Sequence, residues 1–506
     1  MEKQYLMGID IGTTSTKAVL FTLKGKVVNE NRIKYPLHSP TPETAEQDPD
    51  EILVAVITSI REVMEKSQIE QEDLLCLSFS SSMHSLIAVD DQGKLLTHSI
   101  TWADTRSTTC AEKLRKEAPI LEMYCQTGTP LHPMLPLVKL VWLRESCPEI
   151  FEKAAKFISI KEYVFYHLFE DYIVDYAIAA ATGLLNAKTL TWNQKALDIA
   201  GISENKLSRL VPPTHILEKI PDKWANAMRI SPNTPTVIGA SDGVLSNLGV
   251  GAIEAGKVAV TIGTSGAIRT ISKEPILNPE QQLFCYPLID DYWVIGGAVN
   301  NGGIVLRWLR DQFAESEIQT AKLMGKNPYE IIMAIAETIP LGAEGLIFHP
   351  YLTGERSPVW NANARASFFG LNINHTKAHL FRAAIEGIFY NLYLVHQMVQ
   401  DITGKTEKIY ATGGLFRSSL PAQILADVFN QEITFCQTKE SSAFGAAILA
   451  LYALKQIPSL ESGTEMIEEC NTSQPIPENV KKYSKMIDFY SRLLEIFKGE
   501  YGHFSP

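Results

Sequence analysis

Leu6-Met7-Gly8-Ile9-Asp10-Ile11-Gly12-Thr13-Thr14-Ser15-Thr16-Lys17-Ala18-Val19-Leu20-Phe21 is the stretch whose reading decides the fold. Two apolar runs flank a segment rich in Gly and Thr, which reads as strand, tight turn, strand. A second turn at Lys24-Gly25-Lys26 starts a third strand, so the N-terminus is a meander rather than a strand-to-helix unit. The first turn gathers backbone N–H groups and hydroxyls, the kind of concavity that holds phosphate oxygens. Gly12 lets the backbone approach closely, Lys17 supplies charge, and Asp10 stands at a strand end where it could hold Mg²⁺ through water. From this stretch alone an ordinary glycine hairpin reads equally well.

Working outward, the same plan returns. Lys257-Val258-Ala259-Val260-Thr261-Ile262 is a strand, Gly263-Thr264-Ser265-Gly266 a turn, and Ala267-Ile268-Arg269-Thr270-Ile271 a strand again. Two such units suggest a distant internal duplication, and two facing phosphate loops suit a nucleotide clamped between domains. Neither is a Walker sequence, because no G-x-x-x-x-G-K-[ST] occurs. Helical spacing of Ile52, Val56, Ile57, Ile60 and Val63 over residues 50–66, followed by the strand Leu75-Cys76-Leu77-Ser78-Phe79-Ser80, argues for an α/β fold. A chain of 506 residues is too long for one ordinary core, and the expected division is 1–247 and 248–506. A long helix is expected from about 375 to 403, stopped by Gly404. Residues 472–480 read as a linker, and 481–498 as a final helix.

Other features narrow the class. A net charge of −11 argues against a nucleic-acid partner, since phosphate backbones demand clustered positive charge. The seven cysteines (Cys76, Cys110, Cys125, Cys147, Cys285, Cys436, Cys470) are odd in number and form no C-x-x-C pair, which fits reduced thiols and a cytoplasmic location. No signal peptide is expected, because Asp10 interrupts the first apolar run. No run of about eighteen apolar residues predicts a membrane span. Gly239-Ala240-Ser241-Asp242-Gly243 puts a carboxylate at a strand end, where it could take a proton from a substrate hydroxyl; locally, a helix N-cap explains it better. Ala411-Thr412-Gly413-Gly414-Leu415-Phe416 could admit the flat face of an adenine, or be a tight strand–helix turn.

Taken together these segments closely resemble the FGGY carbohydrate kinases, within the actin and hexokinase superfamily. Ile9 to Thr14 looks like that family's first phosphate loop and Gly263 to Gly266 like its second. Ala366, Phe368, Gly370, Leu371, His379, Leu380, Ala383, Ala384, Ile385 and Glu386 fit its C-terminal signature. The other signature, around Pro136, Lys139 and Trp142, fits except at Ser146, where an amide, Glu or His is usual.

The resemblance implies two ribonuclease H-like domains flanking an ATP cleft. It assigns Asp242 as catalytic base and Asp10 to Mg²⁺. It places Thr13, Thr14, Lys17, Thr264, Gly303, Arg307, Gly414 and Ser418 on ATP. Arg307 departs from the Gln of glycerol kinases, and Met83-His84 from their Arg-Glu, which argues against glycerol. The stretches around Trp102 and Asp104, Asn300-Asn301, and Glu355-Arg356 most resemble the members that phosphorylate gluconate. That similarity implies transfer from ATP to the 6-hydroxyl of D-gluconate, with Met83, His84, Trp102, Asp104 and Asp242 lining the substrate site. Its carboxylate calls for a cation or N–H donors, and His84, Arg106, Lys161 and Arg356 are candidates, each of which reads equally as an ordinary surface or structural residue. The alternatives are xylulose or another sugar as substrate, or a non-kinase ATPase of actin or chaperone type. A small molecule is the expected partner, and a homodimer is the assembly to test.

Overall fold

The computed structural model describes residues 4–504 apart from 279, 281, 290 and 437–439. The opening meander forms as β1 (Tyr5–Ile11), β2 (Ser15–Thr22) and β3 (Val27–Lys34), all antiparallel. Helix α1 (Pro49–Ser67) packs on it, entered through the Asp48 side chain, which caps Asp50 N, and Pro49 in the first turn. The chain then returns parallel to β1 as β4 (Leu74–Ser81). Residues 82–215 form a lobe that includes α2 (Pro136–Ser146). The sheet is completed by β5 (Ile216–Leu217) and β6 (Thr236–Ser241), in the order β5-β6-β4-β1-β2-β3. Strands β1, β4 and β6 are buried on both faces, so they read as near-continuous apolar or small-residue runs. Helix α3 (Asp242–Gly249) follows β6 directly.

The second half repeats this plan. Its strands are β7 (Lys257–Ile262), β8 (Gly266–Ser272), β9 (Phe284–Ile289) and β10 (Tyr292–Val299). Next come α4 (Gly303–Phe313), α5 (Pro328–Glu337) and α6 (Lys377–Thr403). The chain continues through β11 (Lys408–Thr412), α7 (Ser419–Phe429), β12 (Ile433–Cys436), α8 (Ser441–Ala453), β13 (Glu469–Ser473) and α9 (Pro477–Phe497). The sheet order is β9-β10-β8-β7-β11-β12-β13. Both sheets hold the same five-strand pattern, three antiparallel strands and then two parallel ones: β3-β2-β1-β4-β6 and β10-β8-β7-β11-β12.

Sequence order and spatial order part at α8. This helix lies late in the second half but packs on β1 and β4 of the first sheet and crosses α3. A Cβ on Gly8 of β1 would stand 2.2 Å from Ala443 O. At the crossing, a Cβ on Gly249 would stand 1.9 Å from Ser441 O, and one on Gly445 would stand 1.9 Å from Leu245 O. Only hydrogen fits at these three positions. Leu6, Val19, Val244, Leu248, Phe444 and Ile448 belong to one buried apolar cluster, which joins the halves.

The C-terminal segment differs from expectation. Strand β13 runs to Ser473 and α9 starts at Pro477, so the linker shrinks to 474–476. Pro477 is a helix-starting proline rather than a breaker, because its fixed φ and missing N–H suit the first helical turn. The long helix stops before Gly404, whose φ of 87° ends it. The six described cysteine side chains form no disulfide with one another; the side chain of Cys470 lies outside the described residues. Among the described residues no helix is long and apolar enough to cross a membrane.

Candidate active site

The first turn is braced from several sides. Gly12 N donates to Ser15 O (3.0 Å), Tyr35 Oη to Gly12 O (2.6 Å) and Trp102 Nε1 to Thr13 Oγ1 (2.9 Å). Thr14 is exposed at its tip. Lys17 Nζ pairs with the carboxylate of Glu440, which stands at the start of α8, so the charge on the first loop is held by the second half of the chain.

Asp10, near the end of β1, accepts a hydrogen bond from Ser80 Oγ (2.8 Å). Burial, and then the neighbouring charge of Asp242, push its pKa up to about 6. Asp242 is the first residue of α3; Ser241 takes the N-cap position and makes no side-chain cap bond. Asp242 Oδ1 accepts from Gly243 N (2.6 Å). Burial raises its pKa, while Arg269, the Gly243 N–H and Arg356 pull it back. Two partly buried carboxylates, with the charge of Asp242 raising the pKa of Asp10 and a hydroxyl beside them, are hard oxygen donors that a divalent cation would relieve. Among the described residues no group of three or more His, Cys, Asp or Glu could hold a metal. A Mg²⁺ ion here would therefore be completed by water and phosphate oxygens, as that ion prefers.

The second turn opens on a cavity of about 730 Å³. Thr264, Gly303, Arg307, Gly414 and Ser418 all line it, so the five ATP positions expected in this half come together. Gly303 N donates to Gly263 O (2.8 Å) and Ile304 N to Thr264 O (3.0 Å), which stitches the first turn of α4 to the loop. Gly263 and Gly414 have nothing within 4 Å of an added Cβ, so both present bare backbone to the cavity. The opposite wall is α5, with Asn327, Tyr329, Met333 and Glu337. Sequence reasoning missed that wall. Its one visible signal, the Asn327/Glu330 capping box, marks a helix start and says nothing of a ligand.

The other expected substrate residues are Met83, His84, Trp102 and Asp104. His84 is buried with φ 68°, and its Nδ1 meets Ala181 O at 2.7 Å. Burial pushes its pKa down to about 3, so the ring is neutral; Nδ1–H donates, and Nε2 remains an acceptor. Lys139 on α2 donates to His84 O (2.6 Å), Ile100 O (3.1 Å) and Thr101 O (2.7 Å), fixing that loop from behind. Met83 Cε would stand 3.2 Å from a Cβ on Gly243. The Asp104 carboxylate accepts from Ala45 N (2.9 Å), Arg106 N (3.2 Å) and Arg106 Nε (3.0 Å), so it braces its own loop.

Among the four cations considered for a sugar acid, two are already committed. Arg106 is held by Asp104 and Glu46, and Lys161 by Asp175 at 2.7 Å. His84 carries no charge. Arg356 remains, stacked over the Trp102 ring at 5.3 Å, with Nε on Asn300 Oδ1 (2.7 Å) and Nη2 on Val299 O (3.2 Å). A further cation, Arg269 on β8, faces Asp242 and was not foreseen. Its sequence signal is a single charge in an otherwise apolar strand, which reads just as well as an edge residue.

Residues 5–249 match the N-terminal domain of the FGGY family of carbohydrate kinases, and residues 258–454 match its C-terminal domain. The chain belongs to the FGGY family of carbohydrate kinases. A gluconokinase from Bacillus licheniformis is 50% identical over 98% of this chain and 97% of its own. Two solved structures from Lactobacillus acidophilus, a gluconate kinase and a ligand-bound xylulose kinase, are each 38% identical. Both cover 99% of this chain, with 99% and 100% of their own matched, at TM-scores of 0.92 and 0.93 respectively. The architecture is thus the two-domain FGGY fold of the actin and hexokinase superfamily, and the activity is that of a carbohydrate kinase drawing on ATP.

Proposed function

We propose that this FGGY kinase transfers the γ-phosphoryl group of ATP to the 6-hydroxyl of D-gluconate, giving 6-phospho-D-gluconate and ADP. The observation that carries this reading is 50% identity, over nearly the whole of both chains, to a gluconokinase. ATP would lie in the cavity between α5 and Gly414, its phosphates reaching Thr264 and the bare Gly263 backbone from one side. Thr13, Thr14 and Lys17 would meet them from the other. Asp242 would orient the attacking hydroxyl and accept its proton, and the buried setting that raises its pKa strengthens it as a base. Asp10 would hold Mg²⁺, and the ion would supply charge neutralisation to the phosphates. Neutral His84 offers Nε2 as an acceptor for a sugar hydroxyl, and Met83, Trp102 and the loop braced by Asp104 shape the pocket. Phosphoryl transfer needs positioning more than covalent chemistry, so this division of labour suffices.

The 38% identical xylulose kinase structure favours a second reading, a ketose substrate. A coupled ADP-release assay over gluconate, xylulose, glycerol, ribulose and fuculose separates them. Gluconate is expected to show at least tenfold the kcat/KM of xylulose, a ratio that needs only about 1.4 kcal/mol of differential transition-state binding. Equal or better turnover of xylulose would overturn the substrate while leaving the kinase intact.

A further inference from the structure

A six-carbon acid phosphorylated at one end carries a negative carboxylate at the other, and Arg356 is not alone in being able to meet it. Arg269 points from β8 toward Asp242: a Cβ placed on Gly243 would stand 3.1 Å from its Nη2 and 3.2 Å from its Nε. Its Nε and Nη1 are out of solvent and have no hydrogen-bond partner. A guanidinium has five N–H donors and tolerates such isolation poorly, so two buried empty donors mark a place where an acceptor belongs. No carboxylate lies within ion-pair distance of Arg269 among the described residues, although Asp242 lies in its field. Burial and the like charge of Arg356 push the Arg269 pKa down to about 10, against the pull of Asp242. Arg356 has Glu355 as well as Asp242 in its field, whereas Arg269 has Asp242; a further anion between the two guanidiniums would relieve their repulsion and meet the empty donors of Arg269.

The surroundings are built for this side chain. Arg269 pairs across the sheet with Gly296 of β10, and a Cβ there would come within 3.1 Å of Arg269 Cγ. The next residue, Gly297, leaves room for Ser357, and Ser357 N docks on Ala298 O (3.0 Å), which brings Arg356 to the same edge. Gly296 therefore makes space for the Arg269 side chain, and Gly297 for the serine that follows Arg356. Ala267 and Arg269 share one face of β8, just beyond the second phosphate loop, so the strand leads from the phosphates toward the sugar.

We propose that Arg269, with Arg356, receives the carboxylate of the sugar-acid substrate and thereby sets the preference for an aldonate over a neutral ketose. This rests on the gluconate reading above. A guanidinium fork matches a carboxylate in two parallel hydrogen bonds, which a neutral hydroxymethyl group cannot reproduce. A ketose would leave the fork unsatisfied in the closed site, a penalty that disfavours it beyond the mere loss of attraction.

The test is the ratio of kcat/KM for gluconate to that for xylulose in the wild type, Arg269→Gln and Arg269→Lys, together with the KM for ATP. In Arg269→Gln the ratio should fall by about 30-fold or more, the range of a hydrogen bond to a charged group, while the KM for ATP shifts much less. Arg269→Lys keeps the cation in place and loses the fork; its ratio should fall to between those of wild type and Arg269→Gln. If both substrates lose turnover equally and the KM for ATP rises, Arg269 binds phosphate and the assignment is wrong. An unchanged ratio in a folded variant also overturns it. A wild type that prefers xylulose brings down the gluconate reading itself, and the carboxylate assignment with it. If Arg269→Gln does not fold, calorimetry on the wild type decides by comparing gluconate with glucitol, which replaces the carboxylate by a hydroxymethyl group. Gluconate should bind at least about tenfold more tightly; equal affinities would overturn the proposal.

Discussion

Asp242 is the residue at which a bland and a functional reading of the sequence diverge most, and the structure sharpens the contrast. Its place at the start of α3 fits a helix-capping acid, yet the cap position belongs to Ser241, and Asp242 faces Asp10, Arg269 and Arg356. Asp242→Asn keeps shape and hydrogen-bonding reach but removes the proton acceptor. Turnover is expected to fall roughly 10²- to 10⁴-fold, with little change in melting temperature and gluconate binding kept within about an order of magnitude. Near-normal kcat in a well-folded Asn variant would sink the role of base. At this scale the sequence was legible where a family motif predicts which residues meet, as for Thr264 and Gly414 on one cavity. It was opaque where a side chain acquires its role from strands distant in the chain. Arg269 is one example, set by Gly296 across the sheet; Lys139 is another, whose three carbonyl partners come from two separate loops.

Elements were easier to foresee than their edges. The paired strand–turn–strand units, α1 and α6 announce themselves by periodicity and by their glycines and prolines, because those signals are local. The start of α9 was set too late, since proline ends one helix and begins another with the same geometry. The crossing of α3 and α8 could not be foreseen at all: glycine at 249 and 445 reads as flexibility until the carbonyl against each is known. Gly445→Ala tests that contact. Its methyl would meet Leu245 O at 1.9 Å, so the helices must separate. A loss of about 1–3 kcal/mol or more is expected, read as a lower denaturation midpoint together with reduced kcat, because α3 carries Asp242 at its start. Gly499→Ala, with nothing within 4 Å of the new methyl, is the control. A Gly445→Ala enzyme that unfolds with the wild type would show that the crossing has slack.

Taken whole, the molecule places the cavity lined by Thr264 and Gly414 on one half and Asp242 on the other, so the proposed reaction requires both walls. A hinge between the halves would fall in the glycine-containing stretch 243–256. Gly243 and Gly249 have packing duties inside α3, which narrows the candidates to the link before β7, where Gly251 and Gly256 have φ of 83° and 80°. Ligands that touch both walls favour a closed form. Small-angle scattering with gluconate and a non-hydrolysable ATP analogue should show a smaller radius of gyration than the free protein; an unchanged radius would count against closure as the main motion. The two-domain plan was readable from the duplicated turns. The return of α8 to the first sheet was not, because nothing local in the sequence of a buried apolar helix says which sheet it covers.

The α3–α8 crossing also bears on descent. Each helix sets a glycine against the carbonyl that lies four residues before the other's glycine: Gly249 on Ser441, Gly445 on Leu245. Contact in which i meets j and j meets i is the mark of two copies related by a two-fold axis. Together with the repeated five-strand pattern, it makes the molecule read as a pair of ancestral subunits now encoded as one gene. A symmetric pair must carry the same residue at both equivalent places, whereas a fused chain is released from that rule. The pairing registers show what the release allowed. Asp10 and Lys17 stand opposite one another in the first copy, where the second has Thr261 and Ala267; Arg269 in the second copy answers to Val19 in the first. One ancestral hairpin thus came to carry Asp10 and Lys17 on one side and Arg269 on the other, the residues proposed for the metal, the phosphates and the sugar acid.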